Sequence, residues 1–270
     1  MAFVARHAGG VADWGIGNYE RTAEMLLPAA RVLVDAASLR GGERVLDLGA
    51  GTGNAALLAA AAGARVIAVD PSPRLLGVAS AAARRNGLEL TCERGDAASI
   101  PAPDATFDCV LANFAVIFAP DPDAALVELV RVGKADSRVA LTAWLPGGAM
   151  GALASTAQEL VRSALGAPPE PPGFAWHDES SLGALFAGHG MKVEVQGPHE
   201  LVVSATSPEE FLEAELANHP LAVAGGEVLR QRGALKEARE RLLGVLRAHN
   251  EYADAFRSTS RYVVVVARRA

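Results

Sequence analysis

Residues 44–54 read RVLDLGAGTGN, and this stretch decides the fold. RVLDL is a run of apolar and β-branched positions with little polar alternation, as expected of a strand buried on both faces of a parallel sheet. It runs directly into glycines at 49, 51 and 53 and then into an Ala/Leu-rich helical stretch. Glycine tolerates the backbone of a sharp turn and lets a ligand sit against bare main chain. Ligands of open α/β sheets bind outside the carboxyl ends of the strands, near the point where strand order reverses. The turn therefore marks a cofactor crevice.

Further strand-like runs follow at RVIAVD (65–70), LELTCER (88–94), FDCVLAN (107–113) and RVALTAW (138–144), alternating with helical stretches. That alternation predicts a doubly wound α/β fold with a mostly parallel sheet. The punctuation agrees. Asn54 is expected to cap a helix ending near Gly63. Ser72-Pro73 opens a second that Asn86-Gly87 stops, and Asp121-Pro122 opens a third ending at Gly133.

Three segments lie outside this pattern. Residues 1–40 read as helical with a break near Pro28; 146–179 combine a helix with APPEPPG (167–173); 205–258 are helical, opened by a capping box at Ser207-Pro208-Glu209-Glu210. Strand-like runs resume at MKVEVQ (191–196) and close the chain at RYVVVVA (261–267). We therefore expect a single domain over 1–270, with a helical segment at 1–40 and a core of 41–145, 180–204 and 259–270. The cap insertions are 146–179 and 205–258.

With 270 residues, half of them apolar, the chain can bury a sizeable core. A formal charge of -6 argues against a broad phosphate-binding face, so nucleic acid is not the expected partner. No apolar run reaches the roughly 20 residues of a bilayer span, so no membrane association is expected. The first residues show no export signal, which makes a cytoplasmic location the default. The two cysteines, Cys92 and Cys109, have no metal-ligand spacing and read as buried, reduced thiols; no metal is expected.

Loop chemistry selects the cofactor. Dinucleotide folds show GxGxxG, with a helix N-terminus facing a pyrophosphate. Here the spacing is GxGxG, preceded by Asp47 on the strand. A carboxylate there repels a pyrophosphate but suits a ligand carrying an ammonium and a sulfonium group, as S-adenosylmethionine does. Asp70 ends the second strand and can accept the hydroxyls of a ribose. Gly95-Asp96-Ala97 follows the third strand and places another carboxylate at the same edge, within the scope of an adenine amino group.

The segments VLDLGAGTGN (45–54), VIAVDPSPRLL (66–76), ERGDAASIP (93–101) and FDCVLANFAVIFAPDPDAALVELVRV (107–132) resemble the successive motifs of class I S-adenosylmethionine-dependent methyltransferases. They are most similar to the branch of the ubiquinone/menaquinone C-methyltransferases. The resemblance implies a seven-stranded sheet whose final strand, 261–267, is antiparallel and inserted beside strand five. It makes Gly49, Ala50, Gly51 and Gly53 the loop under the methionine part, with Asp47 supporting its amino group. Asp70, followed by Pro71 and Ser72, would hold the ribose. Asp96, with the backbone of Gly95 and Ala97, would read the adenine, and Asn113 and Phe114 would approach the methionine moiety. WGIGNYE (14–20) is similar to an aromatic entry segment, where Trp14 or Tyr19 would close over the cofactor.

Catalytic candidates are fewer. His177 follows the Pro-rich stretch beside Phe174 and Trp176 and is the first candidate for a base; Tyr19 could line the methyl-transfer pocket, and His219 ranks behind both. The basic residues around RERLL read as a solvated helix face. The expected reaction is methyl transfer to carbon, oxygen or nitrogen of a small-molecule acceptor, with an enclosed apolar pocket favoured by the helical inserts. Those inserts could also join two copies as a homodimer. The competing readings are an NAD(P)-dependent oxidoreductase and a methyltransferase-like binding protein without turnover.

Overall fold

Seven strands form one sheet in the order β3-β2-β1-β4-β5-β7-β6. They are β1 (Arg44–Leu48), β2 (Arg65–Asp70), β3 (Leu90–Arg94), β4 (Phe107–Ala112), β5 (Gly133–Trp144), β6 (Met191–Ala205) and β7 (Phe256–Arg269). This computed structural model describes residues 13–168 and 173–269. β1 pairs in parallel with both β2 and β4, β2 with β3, and β4 with β5, whereas β7 runs antiparallel to β5 with Trp144 opposite Tyr262. The expected doubly wound fold and its inserted antiparallel strand are thus borne out. Strand order reverses between β1 and β4, which fixes where a ligand crevice opens.

Two compact units make up the chain. One comprises 26–144, 174–199 and 262–270; the other comprises 1–25, 145–173 and 200–261. The first holds most of the sheet, with β1, β2 and β4 almost wholly buried. Its helices are α2 (Asn54–Ala61), α3 (Pro73–Arg85), α4 (Pro122–Val132) and α6 (Glu179–Ala187). Right-handed crossovers lay such helices on both faces of parallel strands, which is why those strands carry no polar alternation. The second unit packs α5 (Gly148–Leu165) against α8 (Pro220–Gln231) and α9 (Leu235–Ala248), with α7 (Pro208–Asn218) against the same two. Phe211, Leu212, Leu229, Leu242, Leu246 and Phe256 form its apolar centre.

Local punctuation follows the sequence in most places. Ser72, Asp121 and Ser207 each cap a helix whose first residue is proline. In the last case Ser207 Oγ accepts from the Glu210 amide at 3.1 Å, while the Glu210 carboxylate reaches back to the Thr206 amide at 2.8 Å. Asn54 differs from expectation, being the first helical residue of α2. The cap position belongs to Gly53, because its φ of 91° is a turn conformation that asparagine would adopt at greater cost.

Pro28 does not break the first helix, α1 (Tyr19–Ala37), but lies inside it. Pro28 and Glu24, whose carbonyl loses its amide partner, both lie on the exposed side, where water can satisfy that oxygen. Ala29, Ala30, Leu33 and Ala37 are fully buried and hold the helix from the other side. Its C-terminal end is fastened by Arg138, which donates to the carbonyls of Ala37 and Ser38 and pairs with Glu43 at 2.6 Å. That pairing holds the Glu43 carboxyl below its ordinary range.

Of the two thiols, Cys109 is fully buried in β4, which pushes its pKa up to about 12, whereas Cys92 is only half-buried. The difference follows from position: β3 is the sheet's outermost strand on that side, so only one neighbour shields it. No described helix is long and apolar enough to cross a membrane. The described residues contain no group of three or more His, Cys, Asp or Glu side chains placed to hold a metal. Residues 1–12 and 169–172, and with them part of the expected N-terminal segment and of APPEPPG, lie outside the described residues.

Candidate functional site

The carboxyl tip of β1 meets that of β2 through backbone hydrogen bonds. The amides of Gly49 and Ala50 both donate to the Val69 carbonyl, at 2.8 and 3.0 Å, and the Gly53 amide closes the turn on Ala50 at 2.8 Å. Gly49, Gly51 and Gly53 have φ of 67°, 55° and 91°, the left-handed region in which a side chain is strained. A Cβ on Gly49 would stand 2.4 Å from the Ala115 methyl. The loop thus abuts the segment leaving β4, at the reversal of strand order.

Asp70 ties this turn to its neighbours. Its Oδ2 accepts from the Gly51 amide at 2.9 Å and its Oδ1 from the Ser72 amide at 2.8 Å, while its own carbonyl accepts from Gly95 at 3.3 Å. One residue therefore links the glycine turn, the Pro71-Ser72 corner and the start of the Gly95-Asp96-Ala97 segment. Asp47, pointing from β1 beneath the turn, accepts from the Ala56 amide at 2.8 Å in the first turn of α2. Asp47 and Asp70 are 1% and 5% exposed, and no described Lys, Arg or His contacts either carboxylate. Burial pushes the Asp47 carboxyl up to about 7, with the Asp70 charge adding to the rise, and burial raises Asp70 as well.

The exit from β4 is held by a residue that sequence reading passed over. Thr142 is fully buried on β5; its Oγ1 accepts from the Phe114 amide at 2.7 Å and donates to Asn113 Oδ1 at 3.1 Å. Phe114 needs this support because it adopts a φ of 51° without being glycine. A threonine inside the otherwise apolar RVALTAW run was the available signal. Thr142→Val should cost about 1–3 kcal/mol, the usual price of an unsatisfied buried amide, whereas Thr142→Ser should cost less than half as much. Urea denaturation of the two variants checks the difference.

Asp96 is exposed, and its Oδ1 closes a local turn by accepting from Ala98 and Ser99 at 2.9 and 3.0 Å. His177 is half-buried in the turn before α6, next to Asp178, whose carboxylate caps that helix. None of its described contacts joins it to the glycine turn. Tyr19 belongs to the other unit, edge-on to Trp14 at 6.1 Å; Trp14 in turn meets the His219 ring at 6.2 Å. Burial lowers His219 to about 4. The structure thus gathers the glycines, Asp47, Asp70, Ser72, Gly95, Asn113 and Phe114 into one connected edge of the sheet. Tyr19 lies in the other unit, and His177 has no described contact with this edge.

The turn thus lies at the tips of parallel strands, with two buried carboxylates that no cation contacts among the described residues. Residues 46–141 match the model of the methyltransferase domain family. Over that span the chain is similar to a methyltransferase domain. An uncharacterized protein of Mycobacterium tuberculosis is 39% identical over 179 residues, 65% of this chain and 64% of its own length. The chain therefore spans just under two thirds of that relative. The demethylmenaquinone methyltransferase of Thermobifida fusca is 44% identical over 103 residues, covering 37% of this chain and 43% of that enzyme. Among solved structures, the YcgJ protein of Bacillus subtilis superposes with a TM-score of 0.61 at 20% identity, covering 90% of this chain and 98% of that one. That likeness is one of fold.

S-adenosylmethionine is the cofactor that this similarity implies. The residues present fit it on physical grounds. Among the described residues the two carboxylates are buried without a countercharge, an arrangement that is costly by itself and is relieved by a ligand that brings positive charge.

Proposed function

We propose that this chain transfers the methyl group of S-adenosylmethionine to a small-molecule acceptor. The observation that carries the reading is the pairing of the left-handed glycine turn with the buried carboxylates of Asp47 and Asp70, which no cation contacts among the described residues. The bound cofactor would supply an electrophilic methyl on a sulfonium sulfur. Asp47, two residues before Gly49 on β1, would face the cofactor's positive methionine end. Asp70 would fix the turn through Gly51 and accept the ribose hydroxyls with the lone pairs its two amide partners leave over. Asp96 has one carboxylate oxygen engaged in its own turn, and its other oxygen is the proposed partner of the adenine.

Direct displacement needs the reactants held in line in a dry site, and such positioning can be worth about 7–11 kcal/mol. A turn fixed by Val69, Asp70 and Ala115 is suited to that work, since it cannot move without breaking buried hydrogen bonds. His177 is the proposed base only for an acceptor that must lose a proton, and Tyr19 is the proposed lining residue.

S-adenosylhomocysteine at about 100 times its Kd should stabilise the protein by about 2.7 kcal/mol, raising Tm by about 5 °C for a chain of this size. Differential scanning fluorimetry with S-adenosylhomocysteine and NADH in parallel is the check. No response to S-adenosylhomocysteine would remove the reading, and a response to NADH alone would select a dehydrogenase.

A further inference from the structure

The chain between β3 and β4 carries the Gly95-Asp96-Ala97 turn and then passes through two prolines, Pro101 and Pro103, before β4 begins at Phe107. Proline has no amide to donate, so a stretch of this kind is poorly served by main-chain hydrogen bonds alone. Two side chains of α4 hold it instead. Glu128 and Arg131, three residues apart and so on one helix face, are joined by Arg131 Nε to Glu128 Oε1 at 2.6 Å and by Arg131 Nη2 to Glu128 Oε2 at 2.7 Å. Glu128 Oε2 also accepts from the Ile100 amide at 2.8 Å. Arg131 Nη2 donates to the Ile100 carbonyl at 3.0 Å, while Nη1 donates to the Ala102 carbonyl at 2.7 Å and to Asp104 Oδ1 at 2.8 Å. The guanidinium holds the Glu128 carboxyl below its ordinary range, so the pair stays charged at neutral pH.

Arg131 therefore grips the main chain on either side of Pro101, and the Pro101 ring bears on the proposed adenine segment. Gly95 packs so closely on that ring that a Cβ there would stand 2.5 Å from Pro101 Cδ and 3.1 Å from its Cγ, with Val69 Cγ1 also at 3.1 Å. Gly95 directly precedes Asp96, whose Oδ1 accepts from the Ala98 and Ser99 amides and whose side chain is exposed, within reach of a ligand. A planar fork of five donors suits this double grip, and a lysine ammonium could not span it. All of these residues belong to the sheet-bearing unit.

We propose that Glu128 and Arg131 are positioning residues for recognition of the purine: by clamping Pro101 against Gly95 they fix Asp96 where its carboxylate accepts from the 6-amino group of the cofactor's adenine. The inference rests on the methyltransferase reading and on its assignment of Asp96 to the adenine, and it adds the residues that set base specificity. Neither side chain is assigned a contact with the base; both act through the main chain of residues 100–102.

Isothermal titration calorimetry on the full chain tests this by comparing S-adenosylhomocysteine with its 6-deamino analogue, whose purine carries hydrogen where adenine carries the amino group. A hydrogen bond to a charged acceptor should make the parent prefer S-adenosylhomocysteine by about tenfold or more. Asp96→Asn, which keeps an oxygen for the Ala98 and Ser99 amides and turns an NH2 toward the base, should lose that preference. Arg131→Met keeps an unbranched stem without donors. It should reduce the preference to about threefold or less while changing the Kd of the 6-deamino analogue by less than about threefold. Glu128→Gln, which keeps one acceptor, should give an intermediate ratio and carries the test if Arg131→Met folds poorly. Added to Asp96→Asn, Arg131→Met should change the ratio no further, because the clamp acts through that carboxylate. A merely structural clamp would weaken both ligands alike. A ratio unchanged in both clamp variants, a preference that survives Asp96→Asn, or a parent without preference would overturn the proposal. In each of these cases binding of S-adenosylhomocysteine by the parent leaves the methyltransferase reading standing, whereas no binding of either ligand removes that reading and the clamp with it.

Discussion

Asp70→Ala should abolish the stabilisation by S-adenosylhomocysteine while leaving a folded protein, and the reason is local geometry. One carboxylate accepts two backbone amides, from Gly51 in the turn and Ser72 at the start of α3. Alanine leaves both donors without a partner, at about 1–3 kcal/mol each by the usual measure. Part of that loss is returned, because burial raises the Asp70 pKa and its charged form is therefore already held at a cost. A net destabilisation of about 2 kcal/mol is expected, within the range of single substitutions that remove buried hydrogen bonds. Binding should suffer far more. The turn loses the tie at Gly51 that holds it in a left-handed conformation, and the proposed ribose contact disappears with it. At a ligand concentration of 100 times the parent Kd, a hundredfold weakening removes nearly all of the roughly 2.7 kcal/mol of linked stabilisation. Asp70→Asn distinguishes the two contributions. Its amide oxygen can still accept one of the two N–H groups, but its NH2 faces the other, so stability and Tm shift should both fall between those of the parent and the alanine variant. A full Tm shift in Asp70→Ala would show that neither the tie nor the ribose contact matters.

Much of this site was legible in the sequence because its parts are short-range. The glycines of 49–53 follow their strand directly, the caps at Ser72, Asp121 and Ser207 act within four residues, and the largely apolar runs at 44–48 and 65–70, without polar alternation, state that both faces are covered. What stayed hidden depends on partners distant in the chain. Nothing in RVALTAW says that Thr142 will serve an amide 28 residues earlier, and nothing in VIAVDPS says that Asp70 will reach Gly51 as well as Ser72. Ring contacts among Phe114, Trp144, Tyr262 and His199 escaped for the same reason, since these residues become neighbours only once β7 is inserted between β5 and β6. Pro28 misled in the opposite sense: its local rule was sound, but the side of the helix it would occupy, and hence the cost of the lost hydrogen bond, was a tertiary fact. The catalytic candidates were the least legible, because a lone histidine carries no spacing to test.

Asp47→Asn should stabilise the ligand-free protein at pH 8 and weaken its cofactor binding. Asp47 is 1% exposed, and burial raises its pKa to about 7, well above the ordinary aspartate value of 3.8. Because the folded value lies above the unfolded one, the protonated form is favoured by folding. This group's contribution to stability is therefore fully present below about pH 4 and is lost as pH rises through 7. Three pKa units correspond to about 4 kcal/mol, an order-of-magnitude ceiling on what the charge costs the empty site above neutrality. Asparagine keeps an oxygen for the Ala56 amide at the start of α2 and carries no charge, so it removes the penalty without opening the structure. Urea denaturation from pH 4 to 8 should show the parent losing stability relative to Asp47→Asn by up to a few kcal/mol across that interval, with the two closest at the acid end. Affinity should move the other way. A positively charged ligand beside Asp47 favours the carboxylate and recovers part of the desolvation cost, which the asparagine variant cannot offer. Its Kd for S-adenosylmethionine should rise by about tenfold or more at pH 8, equivalent to about 1.4 kcal/mol. Parallel pH profiles for the two proteins would mean that the carboxylate is already screened and serves only to start α2. Divergent stability with unchanged affinity would place the cofactor's charge elsewhere along the strand tips. The expected combination, a more stable protein that binds less well, is that of a site whose empty state is held under electrostatic strain until its ligand arrives.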